Sequence, residues 1–145
     1  MLYCNKYFLL YDLWIVKISL LGILISGGYH ASALASAEVF IPALNRSCSL
    51  PYMTTTRYGH SQNNLLACGG YGSRSTCEVF TPGVGWRPEP YSLESCGRSY
   101  HTSWTLNNGS VLLLGGGCWS DENTTVLITP GVGTKPGFSL EFSIK

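Results

Sequence analysis

Arg57-Tyr58-Gly59-His60-Ser61 is followed about 40 residues later by Arg98-Ser99-Tyr100-His101-Thr102, which again places Arg three residues before His. Each copy leads into a short apolar run that ends in paired glycines, Leu65-Leu66-Ala67-Cys68-Gly69-Gly70 and Val111-Leu112-Leu113-Leu114-Gly115-Gly116. A further copy of that run stands earlier, at Ile23-Leu24-Ile25-Ser26-Gly27-Gly28, without the Arg/His prelude. Beyond the glycines comes a polar loop and then Glu38-Val39-Phe40, Glu78-Val79-Phe80 or Thr125-Val126-Leu127. A period of roughly 40 to 50 residues is the signature of a repeat architecture, and it outranks any local propensity.

Each unit reads as four short strands: an Arg/His strand, an apolar strand ending in Gly-Gly, a Glu-Val-Phe-like strand and an outer strand. Bends are expected where turn residues stand, near Gly22, at Asn63-Asn64 and at Asn107-Asn108-Gly109. The run before the glycines is almost continuously apolar, so it should be buried on both faces, as an inner strand of a sheet packed between like sheets. The glycines suit that crowding, since a Cβ would obstruct the backbone there. The expected class is all-β, with helix only near Ala31 to Ala37.

These residues resemble the kelch repeats of β-propellers, the galactose-oxidase-like fold in which such strands form one blade. The unit at 57–93 carries the whole pattern in Arg57, His60, Gly69, Gly70, Phe80 and Trp86. The unit at 98–145 keeps Arg98, His101, Gly115 and Gly116 but lacks the tryptophan, and the unit at about 23–51 keeps Gly27, Gly28 and Phe40, with Cys48 near the tryptophan's place. The resemblance implies a partial β-propeller of four-stranded antiparallel blades. Three blades are fewer than the four to eight of closed propellers, so the chain is expected to be a fragment with two open blade faces. In such a blade Cys68 and Cys77 would lie on adjacent antiparallel strands, within disulfide reach. A one-residue slip would send them to opposite faces, and six cysteines allow 15 pairings.

The 145 residues are compatible with one domain, and only 12% are charged against a usual share of about 25%. Nine basic and eight acidic residues leave a net charge of +1, which excludes a field able to gather nucleic acid. Residues 1–22 are an apolar N-terminus that reads as a degenerate strand, Leu13 to Ser19, or as a signal-like segment. Small residues at Ala31-Ser32-Ala33 and Ala35-Ser36-Ala37 resemble cleavage sites. As a membrane span, Tyr7 to Ile25 would hold Asp12 and Lys17, each costing about 2.5 to 3.5 kcal/mol at the centre. Membrane insertion is therefore not expected.

Six cysteines without a CxxC pair, and sequons at Asn45, Asn108 and Asn123, point to a secreted, disulfide-bonded glycoprotein rather than to a cytoplasmic one with reduced thiols. His30, His60 and His101 are the histidines. Two occupy equivalent repeat positions, which suits a structural hydrogen bond better than a shared metal. Cys96 with His101 has the residue types of a nucleophile pair but no third group to orient it. No catalytic, metal-binding or cofactor-binding residue is assigned, and no cofactor or defined oligomer is expected.

Tyr58, Tyr71, Trp104 and Trp119 are candidates either for inter-blade packing or for a binding surface. The expected function is non-catalytic binding of a protein or glycan ligand. The alternative is a fragment of an extracellular propeller enzyme of the galactose-oxidase type.

Overall fold

The computed structural model describes residues 22–63, 65–93, 97–117, 124–129 and 132–139, the last four by backbone alone. In chain order the strands are β1 (Ile23–Ser26), β2 (Tyr29–His30), β3 (Ser32–Ala33), β4 (Ala37–Ile41), β5 (Arg46–Leu50), β6 (Ser61–Asn63), β7 (Leu66–Cys68), β8 (Thr76–Thr81), β9 (Gly85–Ser92), β10 (Thr102–Thr105), β11 (Val111–Leu114), β12 (Thr124–Thr129) and β13 (Gly133–Ser139). They form two four-stranded antiparallel meanders, β6-β7-β8-β9 and β10-β11-β12-β13, a three-stranded sheet β1-β4-β5, and a small hairpin β2-β3. The chain is an all-β partial propeller: open sheets stacked face to face as blades.

Alternation along each strand sends side chains to two faces, and both faces of the middle blade are buried. One core joins Ala37, Val39, Cys48, Leu50 and Met53 of the first blade to Ala67, Phe80 and Trp86 of the second. Phe80 and Trp86 are directly opposed across β8 and β9, their rings tilted at 54° with centroids 5.4 Å apart. The other core joins Leu66, Cys68, Cys77 and Leu93 of the second blade to Val111, Leu113, Val126 and Ile128 of the third. Each fully buried aliphatic side chain contributes about 1.5–3 kcal/mol, so these two seams hold the blades together.

Cys68 and Cys77 face each other in the β7–β8 register and are joined by a disulfide, with Cα atoms 4.1 Å apart. The register leaves no slip between them. Cys48 is disulfide-bonded as well.

Two local expectations are corrected. In place of helix near Ala31 to Ala37, the chain makes the β2–β3 hairpin and then enters β4. Ala31 sits at φ 58 in the left-handed region, which a right-handed helix cannot include. Helical geometry among the described residues is a 3-10 turn at Pro42–Leu44. Arg57 and Arg98 lie ahead of the inner strands rather than on them, since β6 begins at Ser61 and β10 at Thr102. Each arginine thus belongs to the crossing between blades, where its long side chain reaches loop carbonyls that a strand position would turn away. The strand expected at Leu13 to Ser19 and the bend at Asn64 fall outside the described residues. No described helix is long and apolar enough to cross a membrane.

Candidate functional site

The repeated Arg and His residues build a scaffold. Arg57 is fully buried, and its guanidinium donates to the carbonyls of Gly69 (2.9 Å), Ser73 (3.1 Å) and Thr76 (2.9 Å) and to the Glu78 carboxylate (2.8 Å). Glu78 accepts from the backbone N–H of Thr54 (2.6 Å) and Thr55 (3.1 Å) and from both threonine hydroxyls. Burial pushes the Glu78 pKa up, but hydrogen bonds from Thr55, Thr54 and Arg57 outweigh it and hold the carboxyl below its ordinary value. Burial likewise lowers the Arg57 pKa, with Glu78 opposing. Arg98 repeats the carbonyl contacts, to Gly115 (2.8 Å) and Thr124 (3.1 Å), and the strand register corrects the repeat alignment by one residue: Val126, not Thr125, stands where the second blade has Glu78.

The histidines tie blade to blade. Nε2 of His101 lies 2.8 Å from Ser61 Oγ of the preceding blade, and Nε2 of His60 lies 3.5 Å from Ser26 Oγ. Burial, then the charges of Arg98 and His60, pull the His101 pKa down to about 4, and burial with Arg57 lowers His60. Both rings are neutral at pH 7. His30 is exposed on β2, away from this pattern. A copper or other metal centre needs converging ligands, and these residues do not fit one. Cys68 and Cys77 are consumed in a disulfide, and no three His, Cys, Asp or Glu residues group together among the described residues. Cys96 and Trp119 lie outside the described residues, so the Cys96–His101 pairing has no geometry to discuss.

What the scaffold displays is an exposed ladder of tyrosines. Tyr29 and Tyr71 each follow a glycine pair, while Tyr58 and Tyr100 come from the two Arg/His segments. Tyr58 and Tyr71 form an isolated antiparallel bridge, and their rings stack at 12° with centroids 4.8 Å apart. Tyr29 tilts onto Tyr58 at 5.0 Å, and Tyr100 onto Tyr71 at 5.7 Å. The Arg74 guanidinium lies 4.1 Å from the Tyr71 ring centroid. The end rings remain 64% (Tyr29) and 69% (Tyr100) exposed. Desolvation, followed by the neighbouring Tyr100, Tyr71 and Tyr29, raises the Tyr58 pKa, which keeps its phenol a neutral donor and acceptor.

Backbone strain marks one rung. Tyr100 occupies φ 55, and the equivalent place in the second blade is Gly59 at φ 62. The repeat demands a left-handed residue there, and the third blade fills it with tyrosine at a cost of about 1–2 kcal/mol. The ring then lies over Gly59, where an added Cβ would meet Tyr100 Cε1 at 2.8 Å.

Of the aromatic candidates from the sequence, Tyr58 and Tyr71 belong to this ladder and Trp104 stands apart on β10, 67% exposed. Tyr29, Tyr100 and Arg74 were not among them. The recurrent Gly-Gly-Tyr at Gly27-Gly28-Tyr29 and Gly69-Gly70-Tyr71 is the signal that could have found Tyr29.

No protein-family model matches the chain. No curated protein matches it either. Among solved structures the chain is similar to a fungal alcohol oxidase of the AA5 family in complex with copper, with a TM-score of 0.48 and 18% identity, over 75% of this chain and 26% of that one. The chain thus spans about a quarter of the length of that protein.

Proposed function

We propose that the chain is a non-catalytic binding module built from kelch-type propeller blades, carried in the secretory pathway, whose tyrosine ladder contacts a protein or glycan ligand. The observation that carries this reading is the ladder itself. Four rings from the β2–β3 hairpin, the β7–β8 loop and the segments that lead between blades line up, with the two end rings open to solvent, and one of them is kept there against backbone preference. Rigid aromatic rings on a fixed scaffold give large contact area at low entropic cost, and phenol hydroxyls add orienting hydrogen bonds. The buried disulfide suits an oxidising compartment.

The test uses a mixed panel of immobilised oligosaccharides and displayed peptides, probed with the wild-type chain and with Tyr29→Ala and Tyr100→Gly. Tyr100→Gly should fold at near wild-type stability, because the relieved strain offsets the lost ring contact of about 0.5–1.5 kcal/mol. Ligands retained by wild type should be lost at least tenfold by both variants. Equal retention by all three proteins would reject the ladder as the binding surface.

A further inference from the structure

The tyrosine ladder holds four oxidisable phenols in ring-to-ring contact, with centroid separations of 5.0, 4.8 and 5.7 Å from Tyr29 through Tyr58 and Tyr71 to Tyr100. Its two end rings are open to solvent, whereas Tyr58 and Tyr71 are partly buried between them. A one-electron oxidant therefore reaches the ladder at Tyr29 or Tyr100, and the electron it takes is replaced from the ring in contact. A phenol that loses an electron and its hydroxyl proton carries much of the unpaired spin on the two carbons ortho to the oxygen, Cε1 and Cε2. Two such rings held side by side join there.

The three contacts are not equal for that chemistry. The bond joins ring edges, and Tyr58 and Tyr71 present their faces to each other at 12°. Tyr71 also carries the Arg74 guanidinium 4.1 Å from its centroid, a positive charge that opposes the loss of an electron from this ring. Tyr100 Cε1 lies over Gly59, where an added Cβ would meet it at 2.8 Å, so one of its two ortho carbons is covered. Tyr29 lies 64% exposed on the two-residue strand β2, tilted at 57° onto Tyr58 at 5.0 Å, the shorter of the two tilted contacts. With solvent on its open side, its ring has room to turn edge-on to its neighbour.

We propose that Tyr29 and Tyr58 are a site of oxidative cross-linking, joined by a carbon–carbon bond between ortho carbons when a haem peroxidase and hydrogen peroxide act on the chain. In two one-electron steps each phenol gives up one electron and one proton, and one peroxide accepts both pairs and leaves as two waters. The two radicals pair to form the bond, and each ortho hydrogen then moves as a proton to restore its phenol hydroxyl. The product is lighter by two hydrogen atoms. It ties the β2–β3 hairpin to the segment ahead of β6, across the junction of the first two blades, in the same oxidising surroundings that the Cys68–Cys77 disulfide suits. The inference is independent of what the ladder binds.

The test treats the dilute chain with a haem peroxidase and hydrogen peroxide, then reduces its disulfides and digests it with trypsin. Cleavage after Lys17, Arg46, Arg57 and Arg74 puts Tyr29 in peptide 18–46, Tyr52 in 47–57 and Tyr58 in 58–74. Mass spectrometry should find 18–46 joined to 58–74, two hydrogens lighter than the separate peptides, from a monomer that has gained the blue fluorescence of a biphenol. The joined pair should vanish in Tyr29→Phe and in Tyr58→Phe, which keep a ring in place and the wild-type circular dichroism but have no hydroxyl to oxidise. Tyr52 is 73% exposed and outside the ladder, so a bond from 18–46 to 47–57 should be at least about tenfold rarer. The proposal is overturned by a wild type that yields no joined pair, by a pair that survives either variant, by bonding to Tyr52 just as readily, and by bonds confined to Tyr71 with Tyr100 or to separate chains.

Discussion

His101 is 7% exposed, and its neutral ring is the form that the fold selects. The sign of the resulting pH dependence follows from comparing folded and unfolded chains. An unfolded histidine takes its proton near 6.5, whereas folded His101 resists until about 4, so acid favours the unfolded state across that interval. Between about pH 7.5 and about pH 5, unfolding free energy should fall by about 2 kcal/mol through this group, with His60 adding in the same direction. Glu78, held below the ordinary carboxylate value, extends the loss into stronger acid. Urea titrations at the two pH values measure the drop, and His101→Gln should flatten it; an unchanged slope would remove His101 from the account. At this scale the sequence disclosed Arg57, His60, Arg98 and His101 because they recur. It hid the Arg57–Glu78 pair, whose partners are 21 residues apart and meet only once the strand register is set. It also hid the strained Tyr100, although Gly59 at the equivalent position was a hint.

The glycine pairs show how one strand end is shaped by its neighbours. A Cβ on Gly69 would meet the Arg98 carbonyl oxygen at 2.4 Å and His101 Cε1 at 2.7 Å, and one on Gly27 would meet the Arg57 oxygen and His60 Cε1 at 2.5 and 2.7 Å. The first glycine of each of these pairs therefore admits the next blade. The second admits its own blade's histidine: a Cβ on Gly70 falls 2.7 Å from His60 Cβ and 2.8 Å from the Tyr58 carbonyl oxygen, whereas Gly28 has nothing within 4 Å. Both second glycines have positive φ, at 85 and 111. Gly28→Ala should accordingly cost only the backbone term, about 1–2 kcal/mol, and Gly70→Ala that term plus about 1–3 kcal/mol of overpacking. Paired equilibrium unfolding curves decide it, and equal costs would deny the histidine its part. The Gly-Gly runs of the second and third blades were legible as second strands of their sheets because continuous apolar character and fixed spacing agree, whereas the run Ile23–Ser26, expected to be buried on both faces as well, stands at the edge of its described three-stranded sheet with Ile23 and Ile25 exposed. The opposition of Cys68 and Cys77 was legible only as a possibility, since alternation alone leaves a one-residue slip open and the hydrogen-bond ladder closes it. The hairpin at Ala31 was missed because small residues in a row carry no period, and a left-handed alanine leaves no mark on composition.

For the molecule as a whole, the stacking of blades was legible in the repeat, while the sheet face that each blade turns to the next is set by strand register. That arrangement also sorts the sequons. Asn45 is exposed at the C-cap of the turn Pro42–Leu44, ahead of β5, and Asn108 is exposed in the tight turn between β10 and β11. Asn123 lies outside the described residues. At Asn108 the side-chain oxygen Oδ1 accepts the Ser110 backbone N–H at 3.0 Å, which fixes the turn. N-linked glycans attach through the side-chain nitrogen, so a sugar at Asn108 leaves that hydrogen bond in place and points outward from the turn. Asn45 adopts φ 46, a conformation asparagine tolerates, and it is exposed to solvent. Expressed through a secretory pathway, the chain should therefore carry glycans at Asn45 and Asn108 without loss of fold. An amidase that removes N-glycans should then sharpen and speed its band on a gel. Asn45→Gln and Asn108→Gln should each remove one step of that shift, with Cys68 and Cys77 resisting alkylation until reduced. A chain that emerges unshifted, or that is retained with both thiols alkylated, would place it in a reducing compartment instead.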